Sequence, residues 1–477
     1  MKKVCLLLGF SLYALSMAGQ NIADQLSNSI NKLEKDSQMQ AAIISFYVVD
    51  SKTGTVVYEK NSRYGMAAAS TQKLCTSAAV LELLGQGYRY NTNIDFYRQP
   101  DKAGGSGIIE IRGAGDPSLG SWRFPGTKKE LLLHQWGQII NGLDRDLQGM
   151  PAFKWKNIFV KDVLRGDPPT IPDGYIWQDI GNYYGAGTSL LNWNENQYDI
   201  IFRSGTTGSP VSIVSIDSSD ERLKFHFSVT AGATGSGDNT YIYAAPLSHE
   251  ARVRGTVPPN QKRFAISGSL PDPGYSLASS IAKSIRRPGD VTIPAIYSSQ
   301  DTILPDHIKK DLILLKTITH TSPPLDSLVF WFLRKSINLY GEAFVKTVAL
   351  AKENTYNLDK GLEVIKDFWQ SNGVRAADLQ ITDGSGLSPQ NRVTSRALVQ
   401  VLQYSRNRQW FPAFFDAIPE FNGMKMKSGS ITGARSFAGY HTSHNGSTYT
   451  FAIIINNYSG AASDAVKKMY NVLDLLK

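Results

Sequence analysis

Hydrophobic and polar residues alternate near the start of the chain and then give way to a long apolar run. Residues 42–49 and 55–58 alternate on either side of a turn that ends at Gly54, a pattern that predicts a β-hairpin. Residues 66–84 carry almost no charge after Lys73, and glycines follow directly. A helix that is apolar on every side is buried rather than amphipathic. The pattern therefore predicts a helix at the centre of a domain.

The middle of the chain, from about 92 to 300, has a different pattern of residues. Short β-type runs there are broken by glycine, proline and aspartate, at a spacing typical of sandwiches and barrels, with one or two helices among them, notably over 127–143. After residue 300 helical spacing returns. The pattern predicts helices over 325–352, 357–371, 394–407 and 462–477, a strand over 424–430 and a hairpin over 436–458.

The two ends of the chain thus predict the same kind of structure, with a strand-rich block between them. The simplest arrangement is one α/β domain of the α+β type, an antiparallel sheet flanked by helices, assembled from both chain ends. Its predicted segments are 19–91 and 301–477, and the inserted β-rich block is 92–300. Three independent domains in a row are the alternative.

Length and composition exclude several classes of protein. A chain of 477 residues with 42% hydrophobic and 19% charged residues is long enough for two to four domains and is neither fibrous nor disordered. Its mean hydropathy of −0.22 excludes a polytopic membrane protein.

Residues 1–18 combine Lys2 and Lys3 with an apolar run and small residues, which predicts a signal peptide and export to the periplasm. A retained membrane anchor is the alternative.

The formal net charge is +9, which suits an anionic polymer such as the cell wall or a substrate with carboxylates, or serves solubility alone. The basic residues are scattered, so no nucleic-acid partner is expected.

Cys75 is the only cysteine after the predicted cleavage site, so no intramolecular disulfide is expected. The seven histidines form no HExxH pair, and no metal site is predicted.

The first candidate for chemistry is Ser70, three residues before Lys73 at the start of the buried helix. Residues three apart share a helix face, so hydroxyl and amine are neighbours. An enclosed lysine has its pKa lowered by desolvation and can act as a base. The same spacing occurs at Ser29 and Ser280, but in polar surroundings where a lysine stays solvated.

Two further short motifs follow in the order SxN and K(S/T)G. The first is Ser336-Ile337-Asn338, and the second is Lys427-Ser428-Gly429-Ser430 on the predicted strand. Each tripeptide alone is weak evidence, since Lys52-Thr53-Gly54 is a better literal match to the second motif but lies in a hairpin turn ahead of Ser70. In this order and context, the three motifs resemble those of the penicillin-recognising acyl-serine transferases.

The spacing of the motifs resembles one family within that group. Ser70 and Ser336 lie 266 residues apart, which is similar to the S13 family of D-alanyl-D-alanine carboxypeptidases and endopeptidases, the penicillin-binding protein 4 group. Further similar segments are Gly115–Leu119, Ser322–Leu325 and Asp383–Ser388. The threonine of the family's KTG motif is Ser428 here, which keeps the hydroxyl.

This resemblance implies a transpeptidase-like fold and an acyl-enzyme mechanism on D-Ala-D-Ala peptides of the cell wall, without metal or organic cofactor. It implies that Ser70 is the nucleophile and Lys73 its base. Ser336 and Asn338 would pass the proton to the leaving group. Lys427 and Ser428 would bind the substrate carboxylate, and the strand through Gly429 and Ser430 would complete an oxyanion hole. Peptidoglycan stem peptides are the implied substrates, and β-lactams the implied covalent inhibitors.

Two other functions are kept as alternatives. A β-lactamase uses the same serine and lysine chemistry, but those enzymes are generally shorter and have no insertion of about 200 residues at this place. A non-catalytic wall-binding or β-lactam-sensing protein has no need of a desolvated base. The oligomeric state is not predicted.

Overall fold

The computed structural model describes residues 22–100, 105–146, 153–161, 171–245, 248–285, 294–298, 304 and 309–477. The predicted signal peptide at 1–18 lies outside the described residues. The chain divides into two compact units. Unit 1 comprises Met1–Gln86, Val329–Ile337 and Leu362–Lys477, and unit 2 comprises Gly87–Leu328 and Asn338–Gly361.

The elements are numbered in chain order along the described residues. The strands are β1 (Ile43–Asp50), β2 (Val56–Lys60), β3 (Asn91–Gln99), β4 (Ser106–Arg112), β5 (Trp155–Lys161), β6 (Gln197–Arg203), β7 (Ser212–Asp217), β8 (Lys224–Ala231), β9 (Asn239–Ala244), β10 (Glu250–Val257), β11 (Phe264–Ser269), β12 (Ala295–Tyr297), β13 (Ile313–Thr321), β14 (Leu379–Gln380), β15 (Arg392–Val393), β16 (Glu420–Phe421), β17 (Met424–Ile431), β18 (Ala434–Thr442) and β19 (Thr448–Asn456). The helices are α1 (22–34), α2 (Lys73–Leu84), α3 (Lys129–Asp146), α4 (Trp177–Ile180), α5 (Pro273–Ser284), α6 (Leu325–Arg334), α7 (Asn338–Glu353), α8 (Leu358–Ser371), α9 (Ser395–Ser405), α10 (Phe411–Ala417) and α11 (Ala462–Leu473).

Unit 1 is built on a six-stranded antiparallel sheet in the order β16-β17-β18-β19-β1-β2. Strands β1 and β19 lie side by side, with Val48 opposite Phe451, so the two ends of the chain meet at the centre of the sheet. Both strands are apolar at nearly every position because side chains on both faces are buried. One face packs against α1 and α11 through Leu26, Ile30 and Met469. The predicted assembly of an antiparallel sheet with flanking helices from both chain ends is confirmed.

Helix α2 runs through the interior of unit 1. Lys73 and the eight residues after it are buried on every side, as the uncharged sequence predicts. The helix ends at Gly85, whose φ of +84° is a backbone conformation that favours glycine. The indole N–H of Trp369 donates a hydrogen bond of 3.2 Å to the carbonyl of Cys75. The helix is therefore fixed within the core, and its first turn has a fixed direction.

Unit 2 is rich in strands, as the middle of the sequence predicts. A five-stranded sheet in the order β12-β5-β4-β3-β13 shares a core with α3 and α5, which contribute Trp136 and Ile281. Two three-stranded sheets, β8-β10-β9 and β11-β6-β7, share a second core around Ile200, Phe202 and Val253. The predicted bounds of the inserted block, 92–300, stay a prediction.

The structure corrects one predicted helix and adds helices whose positions were not predicted, α1, α4, α5 and α10. The segment over 325–352 forms two helices, α6 and α7, because Ser336 has a φ of +57°, which an α-helix cannot continue. The apolar spacing carries on through this break, so the pattern alone predicts one helix. Helix α5 was not predicted, although Asp272 accepts a hydrogen bond from Tyr275 N and Pro273 follows it, an ordinary helix start.

In the described part of the chain, no helix is both long enough and apolar enough to cross a membrane.

Candidate active site

Ser70 lies in a tight 3-10 turn, Ala69–Gln72, that leads directly into α2. Ala69 has a φ of +48°, a conformation that a side chain makes unfavourable, so the turn is strained just before the serine. Thr71 donates a hydrogen bond of 2.7 Å to the carbonyl of Ala68 and holds the turn closed. Ser70 is half-buried, whereas the residues that follow it are buried. Its hydroxyl is therefore the accessible end of an otherwise enclosed helix.

The side chains of Ser70 and Lys73 are in contact, as their spacing predicts. The Lys73 Nζ lies 3.0 Å from Ser70 Oγ and donates a second hydrogen bond of 2.7 Å to the carbonyl of Ser385. Lys73 is fully buried. Two fixed acceptors direct the amine, and no large rearrangement is needed to move a proton between the hydroxyl and the amine.

The loop from Asp383 to Ser388 packs against the Ser70 and Lys73 pair and supports it. The Asp383 carboxylate accepts hydrogen bonds of 2.6 Å from the backbone N–H groups of Gly386 and Ser388. Burial raises the pKa of Asp383, and its hydrogen bonds and the Lys73 charge act against that shift. Gly386 has a φ of +82°, and a Cβ there would clash with the carbonyl of Ala69. The loop thus fits tightly against the turn that carries Ser70.

Sequence reasoning assigned no role to these supporting residues. The loop also receives a hydrogen bond of 2.6 Å from Gln72 to the carbonyl of Asp383, and one of 2.7 Å from Thr76 to the carbonyl of Gly384. A hydrogen bond accepted by a backbone carbonyl cannot be predicted from the type of side chain at that position. The signal in the sequence is the similarity of Asp383–Ser388 to the S13 family, without a role attached to it.

Lys427 is the second buried lysine of unit 1. It lies on β17, is 2% exposed, and donates a hydrogen bond of 2.7 Å to the carbonyl of Ser428. Burial lowers the pKa of Lys427 well below its ordinary value, and the positive charge of Lys73 lowers it further. Lys73 and Lys427 are therefore near enough for the charge on one to oppose the charge on the other.

Strand β17 packs closely against the turn Ala69–Gln72, called here the nucleophile turn because it carries Ser70. The contact leaves no room for a side chain at position 429. A Cβ on Gly429 would clash with the carbonyl of Ala68 and the hydroxyl of Ser436, and would lie 3.0 Å from the backbone nitrogen of Ser70. Ser436 also donates a hydrogen bond of 2.5 Å to the Ala68 carbonyl. Ser428 is half-buried and Ser430 is exposed. The structure thus places the predicted strand motif directly against the predicted nucleophile.

The SxN motif is divided between the two units. Ser336 is half-buried in the connection after α6, and Phe332, one turn earlier, has its ring centre 5.6 Å from Lys73 Nζ. The end of α6 therefore lies beside the lysine. Asn338 begins α7 in unit 2, where its side-chain amide donates a hydrogen bond of 2.8 Å to the carbonyl of Tyr184.

The competing motifs lie in the surroundings that the sequence predicts for them. Lys283, three residues after Ser280, forms an exposed ion pair of 2.8 Å with Glu221, and Lys32 on α1 is exposed. Lys52 belongs to an exposed turn. Each of these lysines is accessible to water, which stabilises its charged form, in contrast to Lys73.

Cys75 is an apolar packing residue. Burial raises the pKa of its thiol to about 12, which removes it as a nucleophile near neutral pH. Among the described residues, no three histidine, cysteine, aspartate or glutamate side chains are grouped as they would be to hold a metal ion.

Comparison with known proteins gives consistent similarities. Residues 26–420 match the model of the D-Ala-D-Ala carboxypeptidase 3 (S13) family. The chain is 23% identical over 498 residues to a D-alanyl-D-alanine carboxypeptidase of Actinomadura sp. (strain R39), covering 97% of this chain and 86% of that protein. It is 23% identical over 480 residues to D-alanyl-D-alanine carboxypeptidase DacB of Haemophilus influenzae, covering 95% and 92% of the two chains.

Solved structures show the same fold. Penicillin binding protein 4 (dacB) from Haemophilus influenzae aligns with a TM-score of 0.72 at 19% sequence identity, covering 95% of this chain and 99% of that one. The same protein complexed with a β-lactam aligns with a TM-score of 0.69 at 18% identity, covering 94% and 99%. The predicted fold class is confirmed. The range matched by the family model contains Ser70, Lys73, Ser336 and Asn338 and ends before Lys427.

Proposed function

We propose, for a chain that belongs to the D-Ala-D-Ala carboxypeptidase 3 (S13) family, that Ser70 is the nucleophile of a serine-type D-Ala-D-Ala carboxypeptidase. The observation that carries this proposal is the 3.0 Å contact between Ser70 Oγ and Lys73 Nζ at the start of a buried helix. Cleavage consumes one water and releases one D-alanine for each peptide. The β-lactamase alternative is not favoured by the family or by the relatives.

In the acylation step, Lys73 takes the proton of Ser70, and Ser70 Oγ attacks the carbonyl carbon of the penultimate D-alanine. The bond between that carbon and the terminal D-alanine nitrogen then breaks, and the amine leaves with a proton. Ser336 and Asn338 are proposed to pass this proton, a role that rests on the family resemblance. Water hydrolyses the resulting ester and returns the proton to Ser70.

We assign the oxyanion hole to the backbone N–H groups of Ser70 and Ser430. The absence of a side chain at Gly429 supports this assignment, because it brings strand β17 against the Ser70 nitrogen. Donors held in this way act on the charge that develops in the transition state and need no reorganisation. The exposed Ser430 next to Gly429 leaves this end of the strand open to a substrate.

Lys427 and Ser428 are proposed to bind the terminal carboxylate of the substrate. Burial disfavours the charged form of Lys427 when no anion is present. A bound carboxylate supplies the missing counter-charge and favours protonation of the amine. Substrates that have this carboxylate are therefore recognised by charge as well as by shape.

Stem peptides of peptidoglycan are the proposed substrates, and β-lactams the proposed covalent inhibitors. The β-lactam complex of the Haemophilus influenzae protein supports the second point by analogy of fold. We further propose that residues 1–18 direct export to the periplasm. The discontinuous segments 19–91 and 301–477 would then form the catalytic domain, and 92–300 the inserted block.

The test is release of D-alanine from a soluble peptide that ends in D-Ala-D-Ala. The wild type is expected to release one D-alanine per peptide, and Ser70→Ala none. Ser280→Ala is the matched control, since Ser280 has the same spacing to a lysine, but that lysine, Lys283, is exposed and paired with Glu221. A wild-type protein that rapidly hydrolyses a chromogenic cephalosporin over many turnovers and leaves the peptide intact would support the β-lactamase alternative.

A further inference from the structure

One surface of unit 2 combines an exposed indole and two half-buried tyrosine rings with exposed cations. It is the solvent side of the sheet β8-β10-β9, where Ala251 and Val253 of β10 point into the core and Arg252 and Arg254 point outward. The neighbouring positions on this side are Tyr243 opposite Arg252 and Tyr241 opposite Arg254. Together these residues form an arginine–aromatic face, which consists of Trp177, Lys224, Tyr241, Tyr243, Arg252 and Arg254.

The aromatic side chains of this face support one another. The ring of Trp177, from α4, meets the ring of Tyr243 edge to face with centroids 5.0 Å apart. The guanidinium of Arg254 lies 4.3 Å from the centre of the Tyr243 ring. Trp177 nevertheless stays 64% exposed, more than any other large hydrophobic side chain in the described part of the chain. The indole is thus held in place by neighbours while its other side faces water.

The charge on this face is mainly positive. Lys224, Arg252 and Arg254 are exposed, and Glu250, opposite Lys224, is the acidic residue that accompanies them on β10 and β8. Arginine stacks on flat groups and also binds carboxylates with two parallel hydrogen bonds. A ligand that matches both features presents rings or flat apolar faces together with carboxylates, repeated along its length.

We propose that the arginine–aromatic face binds the peptidoglycan polymer, with a sugar ring stacked on Trp177, which Tyr243 supports, and stem-peptide carboxylates bound by Arg252 and Arg254. The choice of polymer rests on the proposed function, because an enzyme that trims stem peptides works on this polymer. The geometry of the face is independent of that function. Binding here retains the enzyme on its substrate and leaves the hydrolytic chemistry unchanged.

The test is co-sedimentation of the full protein with purified, insoluble sacculi at low salt. We expect Trp177→Ala to weaken binding about 3- to 10-fold, as the loss of one stacking ring does. We expect the double variant Arg252→Ala/Arg254→Ala to weaken it about 10-fold and to lose most of the dependence on salt. Acylation by benzylpenicillin and turnover of a soluble peptide should match the wild type.

Matched control variants exist in the same unit. Trp122 is 45% exposed and precedes α3, so Trp122→Ala removes another exposed indole outside the face. Lys262→Ala/Arg263→Ala removes two exposed charges ahead of β11. Equal losses in these controls and in the face variants would overturn the proposal, because they would show a non-specific effect of charge or apolar surface. Binding that no face variant weakens would overturn it as well.

Two further experiments distinguish between the possible ligands. The combined results also distinguish this inference from the proposed function. With sacculi stripped of stem peptides, the Trp177→Ala defect should persist and the arginine defect should vanish. A single-stranded oligonucleotide that competes as strongly as soluble peptidoglycan fragments would overturn the assignment, since a basic aromatic sheet also suits nucleic acid. A protein that releases D-alanine but does not sediment with sacculi contradicts this inference alone. One that sediments and releases no D-alanine contradicts only the proposed function.

Discussion

Lys73 and Lys427 are two buried amines whose charges oppose each other, yet the proposed chemistry needs each in a different state. Lys73 must accept a proton from Ser70, with Ser70 Oγ and the Ser385 carbonyl as its hydrogen-bond partners. Lys427 must carry a charge when the substrate carboxylate arrives. The lowered pKa of Lys427 in the free protein separates these roles, because it leaves the site with less positive charge until an anion enters.

Replacing Lys73 with alanine removes the proposed base. We expect the second-order rate of acylation by benzylpenicillin to fall by about 10²–10⁴-fold, the contribution of a positioned general base. Lys427→Ala should instead act mainly through KM for peptides that carry the terminal carboxylate. The measurement is stopped-flow acylation alongside peptide kinetics. Equal, mild effects of both substitutions would show that the two roles are wrongly assigned.

Lys427 also sets a dependence of stability on pH. Its pKa is lowered in the folded state, so the unfolded chain binds more protons between the folded pKa and about 10.5. This residue therefore costs stability at low pH, and the cost disappears as pH rises through that window. We expect Lys427→Met to raise the free energy of unfolding by about 1 kcal/mol near neutral pH. Thermal melts against pH measure this, and a lower melting temperature for the variant would contradict it.

At the scale of elements, the contact between strand β17 and the nucleophile turn determines whether the site forms. Gly429→Ala should push the strand away from the Ser70 nitrogen and slow acylation by about 10²–10³-fold, the order of loss when one oxyanion donor is removed. Gly433→Ala, in the β17–β18 turn, is the control because it has a φ of +72° and open space around it. Comparable melting temperatures with unequal acylation rates would support the account; equal acylation rates would contradict it.

The elements that sequence reasoning identified correctly are those with a strong periodic pattern. The uncharged run after Lys73 predicted α2, and alternation predicted β1 and the β18–β19 hairpin. The break at Ser336 was missed, because a left-handed backbone in a serine leaves no mark on apolar spacing. The role of the Asp383 loop was also missed, since its contact with Lys73 is made by a backbone carbonyl.

At the scale of the whole molecule, the chain leaves unit 1 twice and returns to it. Ser70, Lys73 and Lys427 all belong to unit 1, although more than 300 residues separate the first from the last. Helix α7 belongs to unit 2, where the Tyr340 hydroxyl lies 3.1 Å from Glu195 and Lys346 donates a hydrogen bond to the Thr188 carbonyl. The proposed inserted block therefore supplies partners to a helix that follows it in the sequence.

Replacing residues 92–300 with a Gly/Ser linker tests the proposed division. We expect a soluble variant to remain open to acylation at Ser70, since the nucleophile, its base and strand β17 remain. Its melting temperature should be lower, because Tyr340 and Lys346 lose buried partners. Acylation is measured by intact-protein mass and folding by circular dichroism. A folded variant that cannot be acylated would place the block within the active site.

The most direct test of the central claim is to locate the adduct formed with benzylpenicillin. Intact-protein mass spectrometry should show one added penicilloyl group per chain, and peptide mapping should place it on Ser70. Ser70 is expected because its hydroxyl lies 3.0 Å from a fully buried amine, whereas Lys32 is exposed and Lys283 forms an exposed ion pair. An adduct on the peptide containing Ser29 or Ser280, or no adduct on the folded protein, would contradict the acyl-serine account.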